Sequence, residues 1–130
     1  ASDVYKRQFC DWCLKTIEET VDLFIEKFGR KYEEAVTEPM AKVKGFKEWY
    51  FDGILKDTAG YAGTELHRRT VGMANVVDVT TIQDEKKRLL AERINILAGK
   101  EYIMNQGAFR TGADYVAAVL RAKEAAQKTL

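Results

Sequence analysis

Apolar side chains recur at three- and four-residue spacing through most of the chain, which is the period of a helix that buries one face. The first such stretch covers residues 9–28. Its apolar stripe consists of Cys10, Cys13, Leu14, Ile17, Val21, Phe24, Ile25 and Phe28. Gly29 is predicted to end this helix, because glycine commonly follows a helix C-terminus. A short helix is predicted over residues 31–38, ended by Pro39, the only proline of the chain.

Helical spacing returns in the middle of the chain. Residues 46–55 are predicted to form a helix with one apolar side, formed by Phe46, Trp49, Tyr50 and Ile54. Residues 57–73 keep the same period, although three glycines in this stretch each weaken a helix by roughly 1 kcal/mol relative to alanine. Residues 76–82 are rich in β-branched side chains, and this is the one segment where extended structure is predicted.

The last third of the chain predicts two more helices. Residues 84–106 form a long candidate with a broad apolar arc, which indicates packing on more than one side. The arc contains Leu89, Leu90, Ile94, Ile96, Leu97, Ile103 and Met104. Thr111, with Asp114 three residues later, is a variant of the capping box and opens a final helix that reaches about Lys128. The pattern predicts a mainly α protein with four or five helices.

The first eight residues do not show the helical period and contain no initiating methionine. They resemble the translated adapter tags found at the ends of metagenomic reads. We expect residues 1–8 to be a non-native leader and residues 9–130 to form the domain.

Charge and cysteine content narrow the function classes. The chain has 21 basic and 20 acidic residues, a net charge of +1. This balance disfavours a nucleic-acid binder and a polybasic membrane arm, both of which need an excess of basic side chains. No apolar run approaches the roughly 20 residues of a membrane span. Two cysteines indicate reduced thiols and a cytoplasmic protein rather than a disulfide framework.

The residues that most often carry catalysis or bind metal are few. Cys10 and Cys13 form a C-x-x-C pair, but a zinc site needs two more ligands and the chain has one histidine and no second cysteine pair. We expect both cysteines to be small buried apolar residues, and we predict no metal site. His67 is expected to be a packing or surface residue. Ser2 is the only serine, which excludes a Ser–His triad.

Four aromatic residues of the predicted helices 9–28 and 46–55 could form a stacking platform, but we expect them to be core residues instead. They are Trp12, Trp49, Tyr50 and Phe51.

Residues 57–75 hold the most informative cluster. On a helical wheel, one face is apolar and is flanked by Gly60 and Gly63, which would allow another backbone to approach closely. This apolar face contains Ala59, Ala62, Leu66 and Met73. The opposite face contains Asp57, Tyr61 and Arg68, whereas Arg69 falls beside the apolar edge.

Glu65 lies between the two arginines and can reach Arg68 at i+3 or Arg69 at i+4. One arginine can therefore be held by Glu65 while the other reaches into a cleft. The planar guanidinium is well suited to binding a phosphate or a sugar hydroxyl. The alternative is a solvated Glu–Arg pair that contributes only a few tenths of a kcal/mol.

The segments DTAGYAG (57–63) and HRRTVGMANV (67–76) are similar to the C-terminal part of the methylthioribose kinase family. The resemblance extends from about Phe9 to about Tyr102. It implies a two-lobed, protein-kinase-like fold of the aminoglycoside-phosphotransferase and choline-kinase type, with this chain as the helical C-terminal part of the C-lobe. Tyr61, His67 and Asn75 depart from the family's usual residues.

The family transfers the γ-phosphate of ATP, with Mg²⁺, to the anomeric hydroxyl of 5-methylthioribose in methionine salvage. The resemblance therefore implies ATP and Mg²⁺ as cofactors of a full-length parent, and a homodimer. Arg68 and Arg69 match the family's twin arginine, which helps to bind the substrate sugar.

The sequence contains neither a glycine-rich phosphate loop nor the catalytic-loop and metal-binding motifs of kinases. We therefore expect a fragment that is inactive alone, with catalytic, nucleotide-binding and metal-binding residues outside it. The alternative is a free-standing helical interaction module that uses the apolar stripe of residues 9–28.

Overall fold

A computed structural model describes residues 2–128, and within them every regular element is helical. The α-helices are α1 (Ser2–Ala35), α2 (Phe46–Val71), α3 (Val77–Thr80), α4 (Glu85–Met104) and α5 (Gly112–Gln127). Two 3₁₀ turns, Pro39–Lys42 and Gln106–Ala108, lie in the connections. The prediction of a mainly α fold is confirmed. No helix within residues 2–128 is both long and apolar enough to cross a membrane.

α1 is one continuous helix where two were predicted, and residues 2–8 belong to it. Gly29 does not end it, because the aromatic rings on either side of this glycine pack against a ring of α2. Phe28 and Tyr32 have their ring centroids 5.2 and 6.1 Å from that of Phe51. This aromatic packing outweighs the roughly 1 kcal/mol that a glycine costs inside a helix.

The segments 46–55 and 57–73 also join, as α2. Gly45 precedes this helix with φ of 86°, a left-handed conformation that favours glycine. Extended structure over residues 76–82 was the wrong prediction, since Val77–Thr80 form one helical turn. The Thr81 hydroxyl donates to the Val77 carbonyl at 2.7 Å, so a local side-chain bond supports the turn.

The predicted starts of α4 and α5 are confirmed by their caps. The Asp84 carboxylate accepts from the backbone amides of Lys86 and Lys87 at 3.0 and 3.2 Å. Thr111 and Asp114 form the capping box, in which the Asp114 carboxylate accepts from the Thr111 amide at 2.8 Å. Each carboxylate satisfies amides that lack a partner inside the helix.

The core lies where α2, α4 and α5 meet, and it contains Ala59, Tyr102, Phe109, Tyr115 and Ala118. The two tyrosine hydroxyls donate to backbone carbonyls, that of Tyr102 to Tyr115 at 2.9 Å and that of Tyr115 to Leu55 at 3.1 Å. Burial raises the pKa of Tyr102 to about 12. The small alanines let the helices approach closely around these three rings.

α1 contributes less to the core than its stripe predicted, and no residue of this helix is fully buried. It docks mainly on α5, whose Gly112 amide donates to the Asp22 carboxylate at 2.8 Å. Cys10 is exposed and Cys13 half-buried, so the expectation of two buried cysteines was wrong. The prediction of a core position was also wrong for Trp12, Trp49 and Tyr50, which are 62%, 68% and 40% exposed.

Other apolar residues that were predicted to pack on neighbouring helices also face solvent. They are Ile17 and Phe24 of α1, Met73 after α2, and Leu89 and Met104 of α4. The periodicity located the apolar positions, but the described residues supply too few neighbouring elements to cover them all.

Candidate functional site

The end of α2 is fixed to α4 through two side chains that lie on one face. The His67 Nε2 atom is 2.9 Å from the Ile96 carbonyl oxygen, and the ring is half-buried. The Asn95 amide donates to the Thr70 hydroxyl at 3.2 Å. His67 was expected to be a packing or surface residue, and it is a packing residue on α4. Thr70 and Asn95 were missed, because their contact joins positions 25 apart in sequence.

Gly63 allows this close contact between α2 and α4. A Cβ atom at Gly63 would lie 2.6 Å from the Gly99 carbonyl oxygen and 2.7 Å from Ile103 Cγ1. A Cβ at Gly99 would lie 3.0 Å from the His67 ring. The expected close backbone approach is therefore confirmed at Gly63. At Gly60 it was wrong, because the nearest atom, Gln106 Oε1, would be at an ordinary 3.5 Å.

Both arginines lie on the other side of the same helix end and bond one carboxylate. Arg68 donates from Nε and Nη2 to the two oxygens of Glu65, each at 2.8 Å. Arg69 donates from Nε to Glu65 Oε2 at 3.1 Å. All three side chains are about half exposed, at 51%, 53% and 50% for Arg68, Arg69 and Glu65. The site is thus a solvent-accessible cluster with two cations and one anion.

This arrangement differs from the expectation that Glu65 holds one arginine while the other is free. Glu65 has two oxygens and lies within reach of both positions, so it bonds both. The expected contrast between Arg69 at the apolar edge and Arg68 opposite does not appear in their nearly equal exposure. Tyr61 is 74% exposed.

The two guanidinium groups dominate the ionisation of the cluster. Hydrogen bonds from Arg68 and then Arg69 lower the pKa of Glu65 to about 2. The bond to Glu65 raises the pKa of Arg68. Glu65 is therefore ionised at any physiological pH, and the cluster carries one net positive charge.

The helix end itself favours this charge. Arg68 and Arg69 lie in the last turn of α2, where the helix dipole stabilises cations. The chain leaves the helix at Gly72, where a Cβ would lie 2.4 Å from the Arg68 carbonyl oxygen. The Val76 amide then donates to the Arg69 carbonyl at 3.3 Å. These contacts constrain the backbone that carries both arginines at the point where it leaves the helix.

A cleft with a volume of about 1030 Å³ lies elsewhere, between α2, α4 and α5. Four of its charged residues form two ion pairs, Arg110 with Asp52 and Arg121 with Glu101. Neither Arg68 nor Arg69 lines it. Sequence reasoning missed this cleft, because its walls come from three helices and no local spacing connects them.

Within residues 2–128, no group of three or more histidine, cysteine or carboxylate side chains could hold a metal ion. The chemistry that the arginine cluster offers is binding: charged hydrogen-bond donors on a fixed helix end.

Comparison with known proteins gives one consistent group of relatives. The chain is 36% identical over 94 residues to the methylthioribose kinase of Bacillus pumilus, which is 72% of this chain and 24% of that protein. It is 34% identical over 90 residues to that of a Geobacillus species, covering 69% of this chain and 22% of the relative. The methylthioribose kinase of Yersinia pseudotuberculosis is 30% identical over 91 residues, 70% of this chain and 22% of the relative.

No family model and no solved structure matches the chain. The chain matches less than a quarter of the length of the curated relatives described above. The resemblance predicted from the two segments around the twin arginine is confirmed: over about 70% of its length, this chain is related to the methylthioribose kinases.

Proposed function

We propose that this chain is the helical C-terminal part of the C-lobe of a protein-kinase-like methylthioribose kinase, and that Arg68 and Arg69 bind the sugar substrate. The parent enzyme transfers the γ-phosphate of ATP to the anomeric hydroxyl of 5-methylthioribose, in the cytoplasm and in methionine salvage. The observation that carries this proposal is the exposed arginine pair on an anchored helix end, inside a chain related to these kinases.

The physical basis is the supply of donors. Arg68 retains Nη1, and Arg69 retains both Nη atoms, without a partner within residues 2–128. Such donors match sugar hydroxyls in the ground state and negative charge that develops on a transferring phosphoryl group. Because His67 and Thr70 fix the helix to α4, binding substrate requires little reordering of the backbone.

The rest of the reaction belongs to the remainder of the parent. ATP and Mg²⁺ are its cofactors, bound by residues outside this chain, so the chain is inactive alone. The parent works as a homodimer on a small-molecule substrate.

A chimera tests the substrate role. The matched stretch of the Bacillus pumilus kinase is replaced by that of this chain, and phosphorylation of 5-methylthioribose is measured. Arg69→Ala and Arg68→Ala should each lower kcat/KM for methylthioribose by about 10- to 150-fold, because each removes a charged hydrogen bond worth roughly 1.5–3 kcal/mol. Arg→Lys should recover little, since an ammonium group lacks the planar fork.

Arg30→Ala is the matched control. Arg30 lies on α1 in a similar exposed pair, with Nη1 3.8 Å from the Glu26 carboxylate. This variant should keep the kinetics of the chimera, and all variants should keep its melting temperature and its KM for ATP. Unchanged kcat/KM in both Arg68 and Arg69 variants would show that the arginines are structural.

A second candidate, a free-standing helical interaction module, is favoured by the exposed apolar side of α1. Phe9, Trp12 and Phe24 are 61%, 62% and 43% exposed, and large exposed apolar patches mark interaction sites. Circular dichroism melting of residues 9–130 separates the two. A sharp cooperative transition in a monomer supports the module, whereas aggregation supports the fragment of a larger lobe.

A further inference from the structure

Glu65 bonds the two arginines unequally. Arg68 uses Nε and Nη2 in a two-point contact with both carboxylate oxygens, each at 2.8 Å. Arg69 uses Nε alone, at 3.1 Å from Oε2. The whole outer end of Arg69, with both Nη atoms, has no partner among the described residues. In Arg68, Nη1 is the only nitrogen without a partner among these residues.

This inequality has a geometric consequence. A two-point contact fixes the plane of the Arg68 guanidinium, because two parallel N–H···O bonds leave no free rotation. A single bond through Nε restrains the Arg69 group at one point only, and both of its Nη atoms stay without a partner among the described residues. Glu65 also separates two like charges that would repel each other on adjacent residues. Removing its charge leaves both guanidinium groups free to move apart.

We propose that Glu65 is a positioning residue that holds Arg69 as the donor to the sugar substrate, with Arg68 serving mainly as the support of Glu65. This assignment rests on the proposed function of the arginine pair. It adds a residue, and it divides the roles of the two arginines unequally. Arg69 makes the main contact with the substrate, and Arg68, besides its own contact through Nη1, fixes the carboxylate that orients Arg69.

The supporting elements agree with this division. The last turn of α2 is tied to α4 through His67 and Thr70, so the Cα positions of residues 65, 68 and 69 are fixed. The remaining freedom is in the long arginine side chains, and a shared carboxylate restrains both of them. A fixed helix end with restrained side chains is the arrangement that orients a substrate without reordering.

The experiment uses the chimeric kinase and a double-mutant cycle. Glu65→Gln should lower kcat/KM for methylthioribose by about 10-fold, while the KM for ATP and the melting temperature stay unchanged. In the Arg69→Ala background, Glu65→Gln should have almost no further effect, because the group it positions is gone. Glu26→Gln, in the exposed Glu26–Arg30 pair of α1, is the control and should change nothing.

The outcomes separate this proposal from the one it rests on. If Arg68→Ala and Arg69→Ala both leave methylthioribose kinetics unchanged, or the folded chimera does not phosphorylate this sugar, the proposed function is wrong. If Arg69→Ala alone leaves these kinetics unchanged, the positioning role is wrong. If Arg69→Ala lowers kcat/KM but Glu65→Gln does not, or the two effects multiply, the positioning role is wrong. Equal losses for methylthioribose and ATP would show that Glu65 only stabilises the fold.

A measurement without catalysis tests the geometry in the 130-residue chain. The Nε–H signals of Arg68 and Arg69 in ¹⁵N NMR should exchange slowly with solvent, and Glu65→Gln should make both exchange quickly. Exchange that is equally fast before and after this substitution would overturn the proposal, whatever the chimera does.

Discussion

Tyr102 couples an ionisable side chain to the packing of the core. Its ring is 5% exposed, and its hydroxyl donates to the Tyr115 carbonyl. Burial raises its pKa from 10.0 to about 12, so the folded state disfavours the phenolate. The stability that the neutral phenol contributes is therefore present below pH 10 and lost as the pH rises toward 12.

We expect the helix content of the 130-residue chain to fall in this alkaline window, with a loss of about 2–3 kcal/mol of folding free energy from Tyr102. Circular dichroism during an alkaline titration checks this. Tyr102→Phe should reduce this alkaline loss of helix content, although the substitution removes one buried hydrogen bond at neutral pH. Tyr5→Phe, at a position 79% exposed, should leave the titration unchanged. The same alkaline loss in Tyr102→Phe would contradict the prediction.

Asp114 provides an acidic counterpart. Hydrogen bonds from the backbone amides of Arg110 and Thr111 lower its pKa. The cap of α5 is therefore stable above the ordinary pKa of an aspartate and weakens as the pH falls through the lowered value. Asp114→Ala should cost roughly 0.5–2 kcal/mol at neutral pH. Urea melts at pH 7 and pH 3 test it, because the difference between variant and parent should shrink at pH 3.

At the scale of elements, α2 and α4 approach each other closely at Gly63 and Gly99. Gly63→Ala should destabilise the chain by about 1–3 kcal/mol, because the new methyl group would overlap the Gly99 carbonyl and the Ile103 side chain. Gly53→Ala is the matched control in the same helix. Nothing lies within 4 Å of a Cβ there, so it should stabilise the helix by roughly 0.5–1 kcal/mol.

Thermal melts followed by circular dichroism measure both glycine variants. The two should shift the melting temperature in opposite directions. A neutral Gly63→Ala would show that the helices can separate at this crossing without cost.

α1 explains why elements were predicted more reliably than their boundaries. Its period was visible in the sequence, but Gly29 was predicted to end the helix and it does not. The aromatic rings of Phe28, Tyr32 and Phe51 meet across two helices, and no local rule reports such a contact. Residues 76–82 show the same limit, since β propensity requires a partner strand and the neighbouring segments of the described chain are helical.

At the scale of the whole molecule, many large apolar side chains of the described residues are exposed. Trp12, Trp49 and Met73 are each more than 60% exposed. We expect the chain alone to bind the dye ANS strongly and to self-associate at micromolar concentration. Trp12→Lys with Phe24→Lys should reduce both, whereas Lys15→Ala should not. Sedimentation velocity measures the change, and a dye-free monomer would contradict the expectation.

The sequence by itself determined the helical class, the caps of α4 and α5, and the arginine cluster with its relationship to the methylthioribose kinases. These depend on local spacing and on residue types, which a linear pattern records. Only the tertiary structure decided that Gly63 and not Gly60 meets another backbone, that His67 and Thr70 fix α2 to α4, and that Glu65 bonds both arginines. Those contacts depend on the distance between helices and on side-chain rotation, which the order of residues does not specify.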